Sequence, residues 1–486
     1  MSSSSSGRPI EHRRTLNVFV LAMLSLAVVI SLRNLPLSAE YGLASLFFYL
    51  AATLVFMIPY ALVSAELASA WPKAGGIYIW VREALGDRWG FFAIWMQWFH
   101  NMTWYPAMLA FIAAGIAQLI NPNLAHNKVY LICVILGGFW SVTLMNFFGI
   151  KLSAWLSTVC VIVGSIIPGV LLIFFGIYWV ATGHPLAIDL TAKKLLPNLH
   201  DLSHLVFLAG IFLALAGLEA NANLAREVKN PQKNYPRAIL IAALLAFGIL
   251  VLGSLSIAIV IPQKDISLVS GLLDAFHIFF NKYGVGWIVP IIAIFTVLGA
   301  FGELNAWAMA GVRGLFVTIE HGNLPPIFHK LNKRHVPVNL LIFQAVIVTI
   351  AAFIFLYLPN VNISYWILSA LAAQMYLVMY ILLFITGIVL RIRKPHVPRV
   401  YRVPFKNGGM WVASIIGTAA CLFAITVSFI PPLTFKIKSI LQYESILIAG
   451  FVISVAIPLV IFAFKKPHWK VKVLEKIRKE IRKSIH

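Results

Sequence analysis

The sequence predicts an all-α integral membrane protein with about 12 transmembrane helices in one large domain. Composition is the first indication: of 486 residues, 61% are hydrophobic and 11% are charged, whereas about a quarter of a soluble domain is charged. The mean hydropathy is +0.90. Apolar stretches of the length that crosses a bilayer also recur along almost the whole chain. Finally, Lys and Arg concentrate in alternate connecting segments, as the loops on one side of a membrane do.

The apolar stretches define the predicted helices in chain order. In the first half they lie at about 15–35, 42–70, 90–120, 129–149, 153–182 and 204–224. In the second half they lie at about 237–262, 286–311, 338–358, 363–390, 410–431 and 444–464. These stretches give a membrane domain over residues 15–464.

The two ends of the chain are polar and basic. Residues 1–14 are rich in Ser and are predicted to be disordered, and no cleavage site follows them, so the first helix is retained. In residues 465–486, apolar side chains recur every four residues between Lys and Arg, which predicts a basic amphipathic helix on the inner membrane surface: Trp469, Val473, Ile477 and Ile481.

The distribution of basic residues predicts the topology. If the N-terminus is cytoplasmic, 30 of the 38 Lys and Arg lie in cytoplasmic segments and only 7 in external ones. This asymmetry places both termini in the cytoplasm. The net charge of +22 is then explained by topology and by anionic lipid at the inner face, so nucleic acid is not expected as a partner.

Two of the predicted helices contain features that interrupt a helix. In the first, Pro36 removes a backbone hydrogen bond, so we expect local unwinding from Arg33 to Pro36. In the sixth, a second break is expected from Ala216 to Glu219, at Gly217. Interrupted helices that face each other at mid-membrane are typical of transport sites.

Ionisable side chains inside a membrane span usually face a cavity or another polar group. Arg33 could hold a substrate carboxylate, or it could reach the outer interface or pair with a structural Glu. Glu303 could bind a substrate amine or exchange a proton. Glu219 could serve the site or a structural pair. For Glu66 a structural or gating ion pair is favoured.

Two stretches resemble the amino acid–polyamine–organocation transporters. The first runs from Glu66 to Tyr78 and continues through residues 86–91, and the second runs from Glu227 to Ala238. The similarity to the bacterial glutamate/γ-aminobutyrate antiporter branch lies in residues 256–262, 298–315, 323–325 and 336–338. The family resemblance covers about residues 15–465.

The resemblance implies a fold of two inverted five-helix repeats, at about 15–182 and 204–390, followed by two extra helices at about 410–464. Helices 1 and 6 of this fold are broken around a central site. The resemblance implies site roles for Gly217, Glu303, Trp307, Tyr376 and Tyr380, whereas the antiporter branch carries an acidic residue where this chain has Arg33 and Asn34. With the residues at the two predicted breaks, the predicted substrate-binding set is Ser31, Leu32, Arg33, Asn34, Ala216, Gly217, Glu219, Glu303, Trp307, Tyr376 and Tyr380. The implied gating or structural residues are Glu66, Glu227 and Arg237.

These observations predict an amino acid transporter of the bacterial cytoplasmic membrane that works by alternating access. Exchange of acidic or neutral amino acids is favoured, such as glutamate and γ-aminobutyrate. Proton- or sodium-driven uptake stays open, because Thr158, beside Ser157, stands where many relatives carry a Lys in place of a sodium site. A sensor that binds without transport has the same pattern. No motif with catalytic or metal-ligand spacing appears, so no enzyme activity, metal or cofactor is predicted.

Overall fold

The computed structural model describes residues 17–71, 73, 75–148, 159–197, 205–219, 229–334, 336–432, 440–467 and 469–470. Over this part of the chain the structure is helical, with one isolated β-bridge. Ten of the described helices are long and apolar enough to cross a membrane. Several predicted features lie outside the described residues: the segment 1–14, Ser157, Thr158, Glu227 and most of 465–486.

The helices are labelled here in chain order. They are α1 (Val18–Val29), α2 (Leu35–Ala39), α3 (Gly42–Ala70), α4 (Ile77–Leu85), α5 (Asp87–Ile120), α6 (Lys128–Phe147), α7 (Val159–Ala181), α8 (Leu208–Ala214), α9 (Pro231–Ala258), α10 (Gly271–Lys282), α11 (Val289–Glu320), α12 (Val338–Tyr357), α13 (Val361–Arg393), α14 (Lys406–Val427) and α15 (Ile440–Ala463).

The predicted first span is divided in two. Helix α1 ends at Val29, and Ile30 and Ser31 are not helical. A 3₁₀ turn and then α2 continue the chain. The break therefore precedes the predicted Arg33–Pro36 segment, because Pro36 falls in the first turn of α2, where a proline costs no helix hydrogen bond.

The predicted sixth span is divided as well, which explains why the long helices are fewer than the predicted spans. Helix α8 ends at Ala214, and the chain is non-helical at Ala216 and Gly217. Gly217 has φ +116°, a conformation that a residue with a Cβ atom rarely adopts. The break thus lies where the glycine predicted it.

Helix α5 is the centre of the bundle and packs most extensively against α13 and α11. Helix α11 is positioned on its other side by a glycine contact with α7. A Cβ atom on Gly164 would lie 2.2 Å from the backbone nitrogen of Gly299. The two backbones therefore touch, as small residues allow between membrane helices.

One end of the bundle is formed by α4 and the loops after α11 and α13, and is called the basic face below. Two side-chain contacts join its parts. The Asn323 amide donates to the Tyr78 hydroxyl at 3.1 Å, and the Lys394 ammonium pairs with the Glu83 carboxylate at 2.5 Å. The other end of the bundle is called the opposite face.

Candidate functional site

The break after α8 exposes backbone groups that two tyrosines satisfy. The Tyr60 hydroxyl of α3 donates to the Leu215 carbonyl at 2.6 Å, and it accepts a 3.4 Å hydrogen bond from the Leu218 amide. The Gly217 amide donates to the Tyr380 hydroxyl at 3.0 Å. Since an unpaired backbone group is costly within a membrane, these contacts hold the chain in its non-helical path.

Glu219 follows this break and accepts three hydrogen bonds. The hydroxyls of Tyr376 and Tyr380, one turn apart on α13, each donate to a different carboxylate oxygen at 2.5 Å. The Gln97 amide of α5 adds a third bond at 3.2 Å. The carboxyl is only 3% exposed. Helices α5 and α13 therefore both hold this acid at the end of α8.

Aromatic rings enclose the carboxyl. The His100 ring stacks on Tyr376 with centroids 4.0 Å apart and meets the edge of Trp307 at 6.0 Å. Tyr376 and Tyr380 pack with centroids 4.9 Å apart. The two tyrosines therefore pack against each other and also donate hydrogen bonds to the acid.

A cavity of about 450 Å³ extends from this acid toward the basic face between α5, α11 and the chain before α4. Glu219 and Trp307 line one end of it, and Lys73 and the Gly75–Gly76 turn line the other. The remaining lining residues are Ile77, Ile94, Gln97, Trp98, Asn101, Ala310, Gly311, Arg313, Gly314 and Val317.

Arg33 lies outside that cavity lining, in a separate buried cluster. Its guanidinium donates to the Tyr365 hydroxyl at 3.0 Å and to the Ser369 hydroxyl at 3.4 Å. It also lies over the rings of Trp104 and Tyr365, 5.4 and 5.3 Å from their centroids. At 1% exposure, Arg33 is closed off from water in this conformation.

Glu303 of α11 belongs to the same cluster. Its carboxyl lies beside the Ser31 hydroxyl, and the Arg33 charge acts on it through space. Leu32 and Asn34 are also buried here, and Ala216 is buried at the other break. Of the sequence-predicted set, the structure thus groups one part around Glu219 and another around Arg33.

The predicted gating or structural residues have different surroundings. Glu66 pairs with Arg391 at 3.2 Å and with Arg399 at 3.0 Å, and it accepts a 2.8 Å hydrogen bond from the Val403 amide. These contacts join the end of α3 to the loop after α13. Burial lowers the pKa of the Arg399 guanidinium, and the Glu66 carboxylate opposes this. Arg237 is exposed at the surface.

Sequence reasoning did not single out several residues of the site. Gln97 is uncharged in a long apolar helix, and Tyr60 and Tyr365 are aromatic residues among many. Lys73 and Arg313 fall within the stretches that resemble the transporters, but they were assigned no role beyond positive charges of connecting segments. The signal that could have found Arg313 is its position between Gly311 and Gly314, in the stretch similar to the antiporter branch.

An apolar helical bundle in which a buried acid lies between a broken helix and a cavity has the architecture of a membrane transporter. The family model for amino acid permeases matches residues 16–452 of this chain. The chain therefore belongs to the amino acid permease family of the amino acid–polyamine–organocation superfamily. The predicted family is confirmed, and the chain is a multi-pass membrane protein.

Similar proteins cover almost the whole chain. An uncharacterized transporter of Legionella pneumophila is 43% identical over 94% of this chain and 97% of its own length. A glutamate/γ-aminobutyrate antiporter of Lactococcus lactis is 31% identical over 93% of this chain and 91% of its own. A probable agmatine/putrescine antiporter of L. lactis is 24% identical over 81% of this chain and 83% of its own.

Proposed function

We propose that this protein is an amino acid antiporter of the bacterial cytoplasmic membrane that exchanges acidic or neutral amino acids, such as glutamate and γ-aminobutyrate. The observation that carries the proposal is the Glu219 site. A buried carboxylate at a helix break forms one end of a cavity that could hold a molecule of amino acid size. The similarity to the Lactococcus antiporter supports the choice of substrates.

The fold proposed with this function has twelve spans in two inverted five-helix repeats. In this arrangement the breaks before α2 and after α8 are equivalent points of the two repeats. The basic face is proposed to be cytoplasmic, with both termini on that side and anionic lipid around it, because Lys and Arg concentrate there.

In the proposed site, Glu219 and its tyrosines receive the substrate amine, because a carboxylate attracts a cation strongly where water is excluded. The Gly217 amide, which the family fold would direct at the substrate carboxylate, already donates to Tyr380. A carboxylate must therefore replace that hydroxyl or reach Arg33. We propose that Arg33 takes this role when the cluster around Tyr365 and Ser369 opens.

Flux in liposomes tests the proposal. Purified protein should take up labelled glutamate when γ-aminobutyrate or glutamate is present inside, and little when the liposomes are empty. Uptake into empty liposomes that requires an imposed proton or sodium gradient would instead show ion-coupled transport. Binding without flux in any condition would show a sensor. A competition panel of all common amino acids then defines the substrate.

The role of Arg33 is tested in the same liposomes. Arg33→Ala should weaken the affinity for carboxylate-bearing substrates by about tenfold, the size of one charge-assisted hydrogen bond. Arg33→Lys should restore part of that affinity. If the affinity is unchanged in Arg33→Ala while its stability falls, the residue is structural.

A further inference from the structure

The two ends of the cavity carry opposite charge. Glu219 lies at the deep end, beside Trp307. The ionisable residues that line the other end are Lys73 and Arg313, and both side chains are exposed. A cavity with low-dielectric walls focuses the field of such charges on the molecules that enter it. The end lined by Lys73 and Arg313 is called the mouth below. Its positive charge affects which molecules reach Glu219.

Arg313 lies within the membrane-spanning helix α11 and has no ion pair with any described residue, unlike three arginines near this face. Arg391 and Arg399 share Glu66, and Arg82 pairs with Asp87. An uncompensated guanidinium within a membrane helix is uncommon and usually faces a water-filled path. Its charge is left available to a ligand.

Lys73 is brought to the same part of the cavity by the Gly75–Gly76 turn. A Cβ atom on Gly75 would lie 3.2 Å from Cγ1 of Val317, so this turn lies directly against α11, one helical turn from Arg313. Gly311 and Gly314, which flank Arg313 in the sequence, line the same cavity. Both cations thus face one open volume.

We propose that Lys73 and Arg313 form a carboxylate-binding site at the mouth of the cavity, distinct from the Glu219 site. The proposal rests on the proposed function, since it assigns the ligand as the carboxylate of the transported amino acid. Guanidinium and ammonium groups bind carboxylates through charge-assisted hydrogen bonds. Arg313 lies six positions after Trp307 in α11, which is about 9 Å of helix. The substrate therefore binds first at the mouth and then moves to the deep site.

This site also separates classes of substrate. Two positive charges at the mouth repel polyamines such as agmatine and putrescine, which carry no carboxylate, and they attract glutamate. The Glu219 end by itself would accept any amine. The mouth therefore supplies the preference for an amino acid over a polyamine.

The test is the Michaelis constant for glutamate measured separately on each side of the membrane, in proteoliposomes of known orientation. Arg313→Gln and Lys73→Gln should each raise the constant on the basic-face side by about tenfold. The constant on the opposite side should change less than twofold. Arg313→Lys should recover most of the loss. The matched control is Arg88→Gln, which removes an exposed arginine of the same face that does not line the cavity.

Salt and inhibitors supply further readouts. A double variant combines Lys73→Gln and Arg313→Gln. Raising the ionic strength should weaken glutamate binding at the basic face of the wild type and should weaken it much less in this double variant. Agmatine should inhibit the double variant more strongly than the wild type from that side. Unchanged constants in a double variant that still transports would overturn the mouth site and leave the proposed function intact. Equal changes on both sides, or a lower turnover alone, would also overturn it. Absence of any amino acid flux in the wild type would instead refute the proposed function.

Discussion

Replacing Tyr380 with Phe tests whether one hydroxyl holds the α8 break and the Glu219 carboxylate together. That hydroxyl donates to Glu219 at 2.5 Å and accepts from the Gly217 amide at 3.0 Å. The change keeps the ring but removes both bonds. The Gly217 N–H would then be buried without this partner, and the acid would keep the side-chain donors from Tyr376 and Gln97.

The magnitude follows from the two lost bonds. A buried polar group left without a partner costs about 1–3 kcal/mol, and a bond to a charged group contributes about 1.5–3 kcal/mol. Tyr380→Phe should therefore lower the free energy of unfolding by about 2.5–6 kcal/mol. Tyr376→Phe is the matched control, because it removes one bond to the same acid and leaves the Gly217 amide paired.

Thermal unfolding in detergent and exchange in liposomes measure the two consequences. Tyr380→Phe should unfold at a lower temperature than Tyr376→Phe and should lose more exchange, because the break itself loses its support. If both variants unfold at the same temperature, or if Tyr380→Phe exchanges substrate as fast as the wild type, the hydroxyl does not hold the break and the reasoning is wrong.

Two further predictions concern the helices and loops around the site. Glu66→Gln leaves two buried arginines without their carboxylate and should lower the free energy of unfolding by about 3–5 kcal/mol, seen as a lower unfolding temperature. The control Glu320→Gln changes an exposed residue and should have little effect; equal unfolding temperatures would contradict a structural ion pair at Glu66. Gly164→Ala places a Cβ atom 2.2 Å from the Gly299 nitrogen and should reduce the yield of folded, active protein. The control Gly137→Ala adds a Cβ atom with nothing within 4 Å and should leave the yield unchanged. Equal yields would show that α7 and α11 can separate freely.

Some features followed from local sequence because their causes are local. Hydropathy over some twenty residues predicts a membrane span wherever the span packs. Gly217 interrupts a helix through its own backbone chemistry, and Pro36 signals an interruption in the first span. The first break nevertheless came earlier than predicted, since a proline is accommodated in the first turn of the next helix.

Pairings between distant segments were accessible only from the tertiary structure. Glu66 meets Arg391 and Arg399, more than 300 residues along the chain, and nothing near Glu66 in sequence predicts which basic residues it will contact. The same applies to Glu219, which receives its hydroxyls from α13. Many basic residues and tyrosines have similar local surroundings, so helix packing alone selects the partners.

By itself, the sequence determined the helical membrane class, the family, the interrupted helices and the asymmetry of basic charge, because composition and backbone chemistry act within one segment. Only the tertiary structure decided that Arg33 is buried beside Tyr365 while Arg313 faces the cavity. Arg33 lies in the 3₁₀ turn at the first break and Arg313 lies within α11, and local sequence does not predict which groups surround either of them. Their surroundings differ because one packs against α13 and the other lines the open volume beside α5.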